Sequence, residues 1–385
     1  MMKLMYFCND LTFFLNHFSA LLSRSLQQGY DVIVLSGGSN TKDINKVKEE
    51  YGARLIPINI TRSGTRLLDE FKVILDVHRI IKKEKPEIVH LFTIKPCIYG
   101  GIVSRILGIK TTIGTVTGLG YTFSGMGWLS KLRSNFFVVL YRLAFGLGNG
   151  HVKLVFENSD DRSYFIENHI INEDKTAKVW GAGVDLNLFF PADFRTQSQE
   201  IISEVTVMLP SRMLKDKGVL EFIEAAKIIK DIHIPIRMVL VGGVDPHNPA
   251  SFTTEELNVY VEEGIVEWLG FKSDMPTQLR AADIVCLPSY REGMPKVLLE
   301  SMACGKPIIT TNVPGCREVI VDGVHGFLIP ARDGQSLADA IINISSSQQL
   351  MDSMGKSSRH RALQLFSDLD IAEQYINLYK NSLHE

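Results

Sequence analysis

Cysteine is scarce and scattered: Cys8, Cys97, Cys286, Cys304 and Cys316 form no Cys-x-x-Cys pair and no spaced Cys/His ligand set. That excludes a disulfide framework and a structural zinc site, and five thiols embedded in apolar segments read as reduced core residues of a cytosolic protein. Long hydrophobic runs are missing too, since no uncharged apolar stretch reaches the about 18 residues that a spanning helix needs. The start, MMKLMYFCNDLTFFL, is broken by Asn9 and Asp10 and offers no small-residue cleavage site, which argues against a signal peptide. No Gly-x-Gly-x-x-Gly follows a strand, and VGGVDP lacks that spacing, so a nicotinamide enzyme is poorly supported. Excess positive charge is absent overall, with 41 basic against 43 acidic residues. A dedicated nucleic-acid binder is therefore not expected.

One absence is local. Between Glu87 and Glu157 there is no acidic residue, while Lys95, Arg105, Lys110, Lys131, Arg133, Arg142 and Lys153 are all cationic. Inside this stretch lies WLSKLRSNFFVVLYRLAFGL, residues 128–147. It reads either as a buried core helix or as an interfacial helix that lets Trp128, Phe136 or Phe137 enter lipid headgroups while the cations meet anionic lipid.

What is present is a rhythm. KLMYF, DVIVLSG, Leu55–Ile60, EIVHLF, TTIGTV, KLVFEN and AKVWG alternate with helical stretches such as Phe14–Gln28 and Leu67–Lys85. Near Pro191 the pattern lapses into the polar PADFRTQSQEIISE, then restarts with VTVMLPS, IRMVLVGG, VEWLG, DIVCLPS, KPIITT and GFLIP. β-branched runs separated by helices of ten or more residues predict parallel sheets with right-handed crossovers. The expected architecture is α/β: two Rossmann-like doubly wound domains facing across a cleft, 1–190 and 191–365. A terminal helix, 366–385, is expected to pack back on the first domain. Such sheets bind ligands beyond the carboxyl ends of their strands.

Two segments there are chemically loaded. In SRMLKDKG, Arg212 can make paired hydrogen bonds to a phosphate, and Lys217 supplies a compact charge at a helix start. In REGMPKVLLESMACGKP, Glu292 ends a loop, Gly293 permits close backbone approach, and Pro295 suits the first helical position. Glu300 follows Glu292 by eight residues among Val297, Leu298, Leu299, Met302 and Ala303, where a carboxylate needs a partner such as two neighbouring sugar hydroxyls.

EGMPKVLLE fits a Glu-x7-Glu motif and resembles the retaining glycosyltransferases of family 4, which have the two-domain GT-B fold. SRMLKDKGVLEFIEAA, VLVGG, the run from VEWLG to HGFLIP, and GAGVDLNLFFP also look like that family. The resemblance implies that Arg212 and Lys217 hold a donor diphosphate. Glu292 would meet the donor sugar beside Gly293, Met294 and Pro295, Glu300 would hold the ribose, and Phe271–Lys272 would meet the base. The implied donor is a UDP-sugar, with no cofactor and no metal. The lone Asp-x-Asp, Asp368–Asp370, lies away from strand ends and reads as a decoy.

In the first half, His17 is expected at the opening of a helix, His90 at a strand end and Lys95 in the following loop. Where many family members carry a histidine, this chain has Thr117, in TVTGLGYTF. His17 is the first candidate for the acceptor's proton, and the donor's own phosphate oxygen is another. His17, Lys95 and Thr117 are the expected acceptor-side residues, with Arg105 and Lys131 as further cations. The TGLGY segment and the basic apolar helix resemble PglA-like members, which extend bacterial polyprenyl-diphosphate-linked glycans. The implied setting is cytoplasmic, peripheral on the inner face of an anionic membrane. A non-catalytic nucleotide-sugar-binding subunit and an enzyme with a soluble acceptor are the rival readings.

Overall fold

β-branched strands separated by amphipathic helices build two parallel sheets. The computed structural model describes residues 1–60, 67–119, 128–146, 151–192 and 204–384. The chain divides into two units, Met1–Gly183 with Asp368–Glu385, and Val184–Ser367.

The first unit has seven strands: β1 (Lys3–Cys8), β2 (Asp31–Ser36), β3 (Arg54–Pro57), β4 (Ile88–Phe92), β5 (Thr111–Val116), β6 (His151–Phe156) and β7 (Thr176–Lys178). Their order is β3-β2-β1-β4-β5-β6-β7, so the winding reverses between β1 and β4. Alternation along β1 shows why both faces are covered. Leu4, Tyr6 and Cys8 enter one apolar cluster, while Met5 and Phe7 enter another, as the period of two requires.

On the first face lie the helix Leu11–Gln27 and the terminal helix Asp368–His384, which contributes Ile371, Ala372, Tyr375, Ile376 and Tyr379 to the core. A buried polar chain pins that terminal helix. His90 Nδ1 meets Tyr379 Oη at 2.6 Å and Nε2 meets Thr115 Oγ1 at 2.8 Å, while Thr115 Oγ1 lies 3.1 Å from Tyr375 Oη. His90 is thus the middle residue of β4, fully buried, rather than at a strand end.

The second unit carries β8 (Val205–Pro210), β9 (Ile236–Val241), β10 (Glu267–Trp268), β11 (Ile284–Leu287), β12 (Ile308–Thr311) and β13 (Gly326–Ile329). Their order is β10-β9-β8-β11-β12-β13, with the reversal between β8 and β11. The chain leaves the first unit at 183/184 and returns at 367/368, where the sequence suggested 190/191 and 365/366. The reason is local: Val184 N donates to Phe366 O at 2.7 Å and Val184 bridges Ser367, while Arg359 donates to Phe189 O at 3.0 Å. These partners are mostly main-chain atoms, invisible to an apolar pattern. The expected linker falls almost wholly on 193–203, outside the described residues.

The helix Trp128–Tyr141 answers its two readings by faces. Val138 and Tyr141 are buried, but Trp128, Leu132, Phe136 and Val139 are 70%, 57%, 60% and 50% exposed. Leu143, just beyond, continues that exposed apolar stripe at 43%. Among the described residues no helix is long and apolar enough to cross a membrane.

Candidate functional site

The segments after β8 and β11 flank the reversal point of the second sheet, where doubly wound folds hold ligands. They approach closely. Gly218, at φ +77°, lies against Pro288, and a Cβ there would sit 2.2 Å from the Pro288 carbonyl oxygen. Tyr290 N donates to Asp216 O at 2.9 Å, tying the two loops together. Lys217 ends a short 3-10 turn, Lys215–Lys217, immediately before the helix Val219–Asp231.

That convergence brings Lys217 and Glu292 together. Lys217 Nζ donates to Glu292 Oε1 at 2.5 Å, and Ser289 Oγ donates to the same oxygen at 2.7 Å. Their side chains are only 21% and 13% exposed, so the pair is worth more than a surface salt bridge. Arg212, on the same loop as Lys217, gives its Nη1 to Asp245 Oδ2 at 2.8 Å.

Pro295 stands at the N-cap of the helix Lys296–Ala303, one position earlier than the sequence suggested, with ψ 103° keeping it extended. Met294 is buried beside it. Glu300 lies on that helix, 3.7 Å from Lys296 Nζ, with its side chain 13% exposed. Burial pushes the Glu300 carboxyl up to about 7, against the pull of Lys296. A carboxyl in that state gains from a ligand whose hydroxyls donate to its ionised form. After β10, Phe271 is 78% exposed, next to Gly243 of the loop after β9. Lys272 beside it is exposed as well.

Two of the first-unit candidates, His17 and Lys95, are placed differently from expectation. Asp10 caps the first helix, accepting from Phe13 N at 2.7 Å, so that helix begins at Leu11. His17 therefore falls in its second turn rather than at its opening. Its ring stacks on Phe13 with centroids 4.2 Å apart, and Nδ1 lies 2.9 Å from Phe13 O. Lys95 is in no loop; it is the second residue of the helix Ile94–Ile106, paired with Glu70 at 2.5 Å. Tyr99 Oη donates to the other Glu70 oxygen at 2.6 Å. Arg105 donates to Leu143 O at 2.8 Å. Thr117 directly follows β5 and is partly buried. Residues 120–123 of TVTGLGYTF and the Lys131 side chain lie outside the described residues.

Sequence reasoning missed Ser289, Asp245 and Glu221. Glu221 accepts from Tyr290 Oη at 2.6 Å and so steadies the loop that carries Glu292. DIVCLPS ends on Ser289, and a hydroxyl just past a strand was the available signal for it. Asp245 had none, because a single acidic residue in a polar loop is ordinary. Among the described residues no group of three or more His, Cys, Asp or Glu side chains is arranged to hold a metal ion, and Asp368 and Asp370 open the terminal helix of the first unit.

Comparison with known proteins adds to this geometry. Residues 193–361 match the family described as "Glycosyl transferases group 1", and residues 3–145 match "Glycosyl transferase 4-like". The chain is 28% identical over 337 residues, 86% of both sequences, to the N,N'-diacetylbacillosaminyl-diphospho-undecaprenol alpha-1,3-N-acetylgalactosaminyltransferase of Campylobacter jejuni. It is 27% identical over 320 residues, 81% of this chain and 80% of the other, to an Escherichia coli UDP-Gal:alpha-D-GlcNAc-diphosphoundecaprenol alpha-1,3-galactosyltransferase. A crystal structure of a glycosyltransferase from Rickettsia africae superposes with a TM-score of 0.79 at 20% identity, covering 99% of this chain and 98% of that one. At that identity the likeness speaks for the fold alone.

Proposed function

Since the chain belongs to the glycosyltransferases, 4-like in its first half and group 1 in its second, we propose the following reaction for it. It transfers a hexose or N-acetylhexosamine, of the N-acetylgalactosamine type, from a UDP-sugar to a polyprenyl-diphosphate-linked saccharide during bacterial surface-glycan assembly. The observation that carries the reading is the Lys217–Glu292 contact of 2.5 Å at the reversal point of the second sheet. It puts a cation suited to a diphosphate beside a carboxylate suited to sugar hydroxyls.

In this reading Arg212 and Lys217 receive the diphosphate, Glu292 with Gly293, Met294 and Pro295 meets the sugar, Glu300 takes the ribose, and Phe271 and Lys272 lie at the base. Breaking a glycosyl–phosphate bond builds charge on the departing diphosphate. Fixed cations therefore stabilise the transition state more than the ground state. They supply the role a divalent metal plays elsewhere, so the reaction proposed is metal-independent. An α product from an α-linked nucleotide sugar means retention of configuration. His17 and Thr117 stand as acceptor-side residues, and Lys95 acts there through its pair with Glu70.

The test is a panel of UDP-, GDP- and dTDP-sugars assayed in EDTA for transfer onto a synthetic polyprenyl-diphosphate saccharide. Transfer from a UDP-sugar at an undiminished rate is expected. Activity that needs added Mg²⁺ or Mn²⁺, or that uses only another nucleotide, refutes the proposal.

A lipid acceptor also requires contact with the bilayer. We assign that contact to the exposed stripe of Trp128, Leu132, Phe136 and Val139 in the acid-free stretch, on the cytoplasmic leaflet. Sedimentation with anionic vesicles at low salt should weaken as salt rises. It should fall about tenfold or more in the double variant Trp128→Asp/Phe136→Asp, because two charges replace two exposed aromatic rings that would enter the bilayer. Equal sedimentation of variant and parent would remove this helix from the account.

A further inference from the structure

Arg212 and Asp245 sit on two loops that the backbone stitches together. Met213 N donates to Gly243 O at 3.0 Å, Lys215 N to Ala250 O at 2.9 Å, and Phe252 N to Met213 O at 2.9 Å. Gly242, at φ +144°, makes the approach possible, for a Cβ there would lie 1.8 Å from Ser211 O. Within the second loop, Asp245 N donates to Ser251 Oγ at 2.9 Å, which fixes the carboxylate's root. Main-chain geometry therefore brings Arg212 and Asp245 within reach of each other.

Stability does not explain the pair. The two side chains are 47% and 30% exposed, and ion pairs that open to water contribute little. Among the described residues, Arg212 is engaged through Nη1, at 2.8 Å. The remaining N–H donors of the planar guanidinium are left for another acceptor, and that fork matches a phosphate. A long side chain held at one edge loses less freedom when the other edge binds.

Resting on the donor site proposed above, we propose that Asp245 is the positioning residue for Arg212: it grips one edge of the guanidinium and presents the other to the donor's diphosphate. Its negative charge, set close to that diphosphate, at the same time loosens the hold on the UDP product.

Two substitutions separate grip from charge. Asp245→Asn keeps an acceptor oxygen and removes the charge. Asp245→Ala removes both. By calorimetry, Asp245→Asn should bind UDP roughly threefold to fivefold tighter than the parent, and Asp245→Ala should bind it at least fivefold more weakly than Asp245→Asn. Uridine, which has no phosphate, should bind all three alike. In an Arg212→Ala background the Asn and Ala variants should become equal. Equal UDP affinity of Asp245→Asn and Asp245→Ala in the intact background overturns the grip, and an unchanged affinity in Asp245→Asn overturns the charge effect. A parallel shift for uridine would make Asp245 a mere loop-shaping residue. Failure of the parent itself to bind UDP defeats instead the donor site on which this inference rests.

Discussion

Lys217→Ala is expected to lower turnover about a hundredfold to a thousandfold at saturating donor, the size of effect seen when one preorganised charge donor to a developing anion is removed. The ammonium lies 2.5 Å from Glu292 and ends the turn that precedes the helix Val219–Asp231. It is thus fixed before the donor arrives and needs no reorganisation as charge develops. Its loss also leaves Glu292 with Ser289 as its hydrogen-bond donor, so a carboxylate without its cation faces the incoming diphosphate. Both effects act on the site rather than the fold, because Lys217 is not part of the apolar core. The thermal midpoint should move by only a few degrees. Lys217→Arg should recover part of the rate, since charge returns without the compact geometry. A donor-saturated rate near that of the parent in Lys217→Ala would discard the leaving-group assignment.

The second large effect concerns the first unit. His90→Phe should destabilise that unit by about 3 kcal/mol at pH 7.5, measured by chemical denaturation. The Phe ring, somewhat larger than the imidazole, stays aromatic beside Phe92 and Tyr375, whose centroids lie 4.1 and 5.1 Å from the imidazole. The substitution removes the imidazole from Tyr379 Oη and Thr115 Oγ1 inside a dry core, leaving Thr115 Oγ1 with Tyr375 Oη alone in that chain. The pH dependence identifies the cause. Burial holds the His90 pKa well below the ordinary 6.5, so below pH 6.5 the unfolded chain takes up a proton that the folded one refuses. His90 therefore stabilises fully above pH 6.5 and progressively less below it. The cost of His90→Phe should shrink by about 1.4 kcal/mol per pH unit in that range. A cost that is the same at pH 7.5 and 5.5 would show that the ring acts by packing alone.

Acidic groups oppose this trend within each unit. Burial raises Glu157 to about 8, with Asp161 adding to the rise, and raises Glu300 to about 7. Stability from these carboxyls is complete below 4.5 and is lost as pH rises through 7 and 8. His325, lowered by burial and by Arg361, runs in the same direction as His90. Each unit thus carries one histidine that favours neutral pH and one glutamate that favours acid. The His90→Phe difference is informative because it subtracts the glutamate.

Much of the architecture is legible in the chain because parallel strands covered on both faces must be nearly continuously apolar, as MVLV and IVCL are. Glu300 is legible for the converse reason: a carboxylate among five apolar neighbours on a short helix contradicts its surroundings. Partners distant in sequence are not legible. Tyr379 lies 289 residues from His90, and Asp245 lies 33 residues from Arg212, so neither bond leaves a periodic trace. Lys95, expected in a loop, is helical because the helix Ile94–Ile106 tolerates Pro96 at its third position, where no intrahelical N–H bond is lost. The helix start at Leu11 was set by an Asp10 cap that the apolar pattern alone does not weigh.

The most direct measurement is a crystal structure with UDP bound. The account predicts the two phosphates within hydrogen-bond reach of Arg212 and Lys217, with both ribose hydroxyls on Glu300. A nucleotide seated on other residues, with these three side chains in their present pairings to Asp245, Glu292 and Lys296, would contradict it.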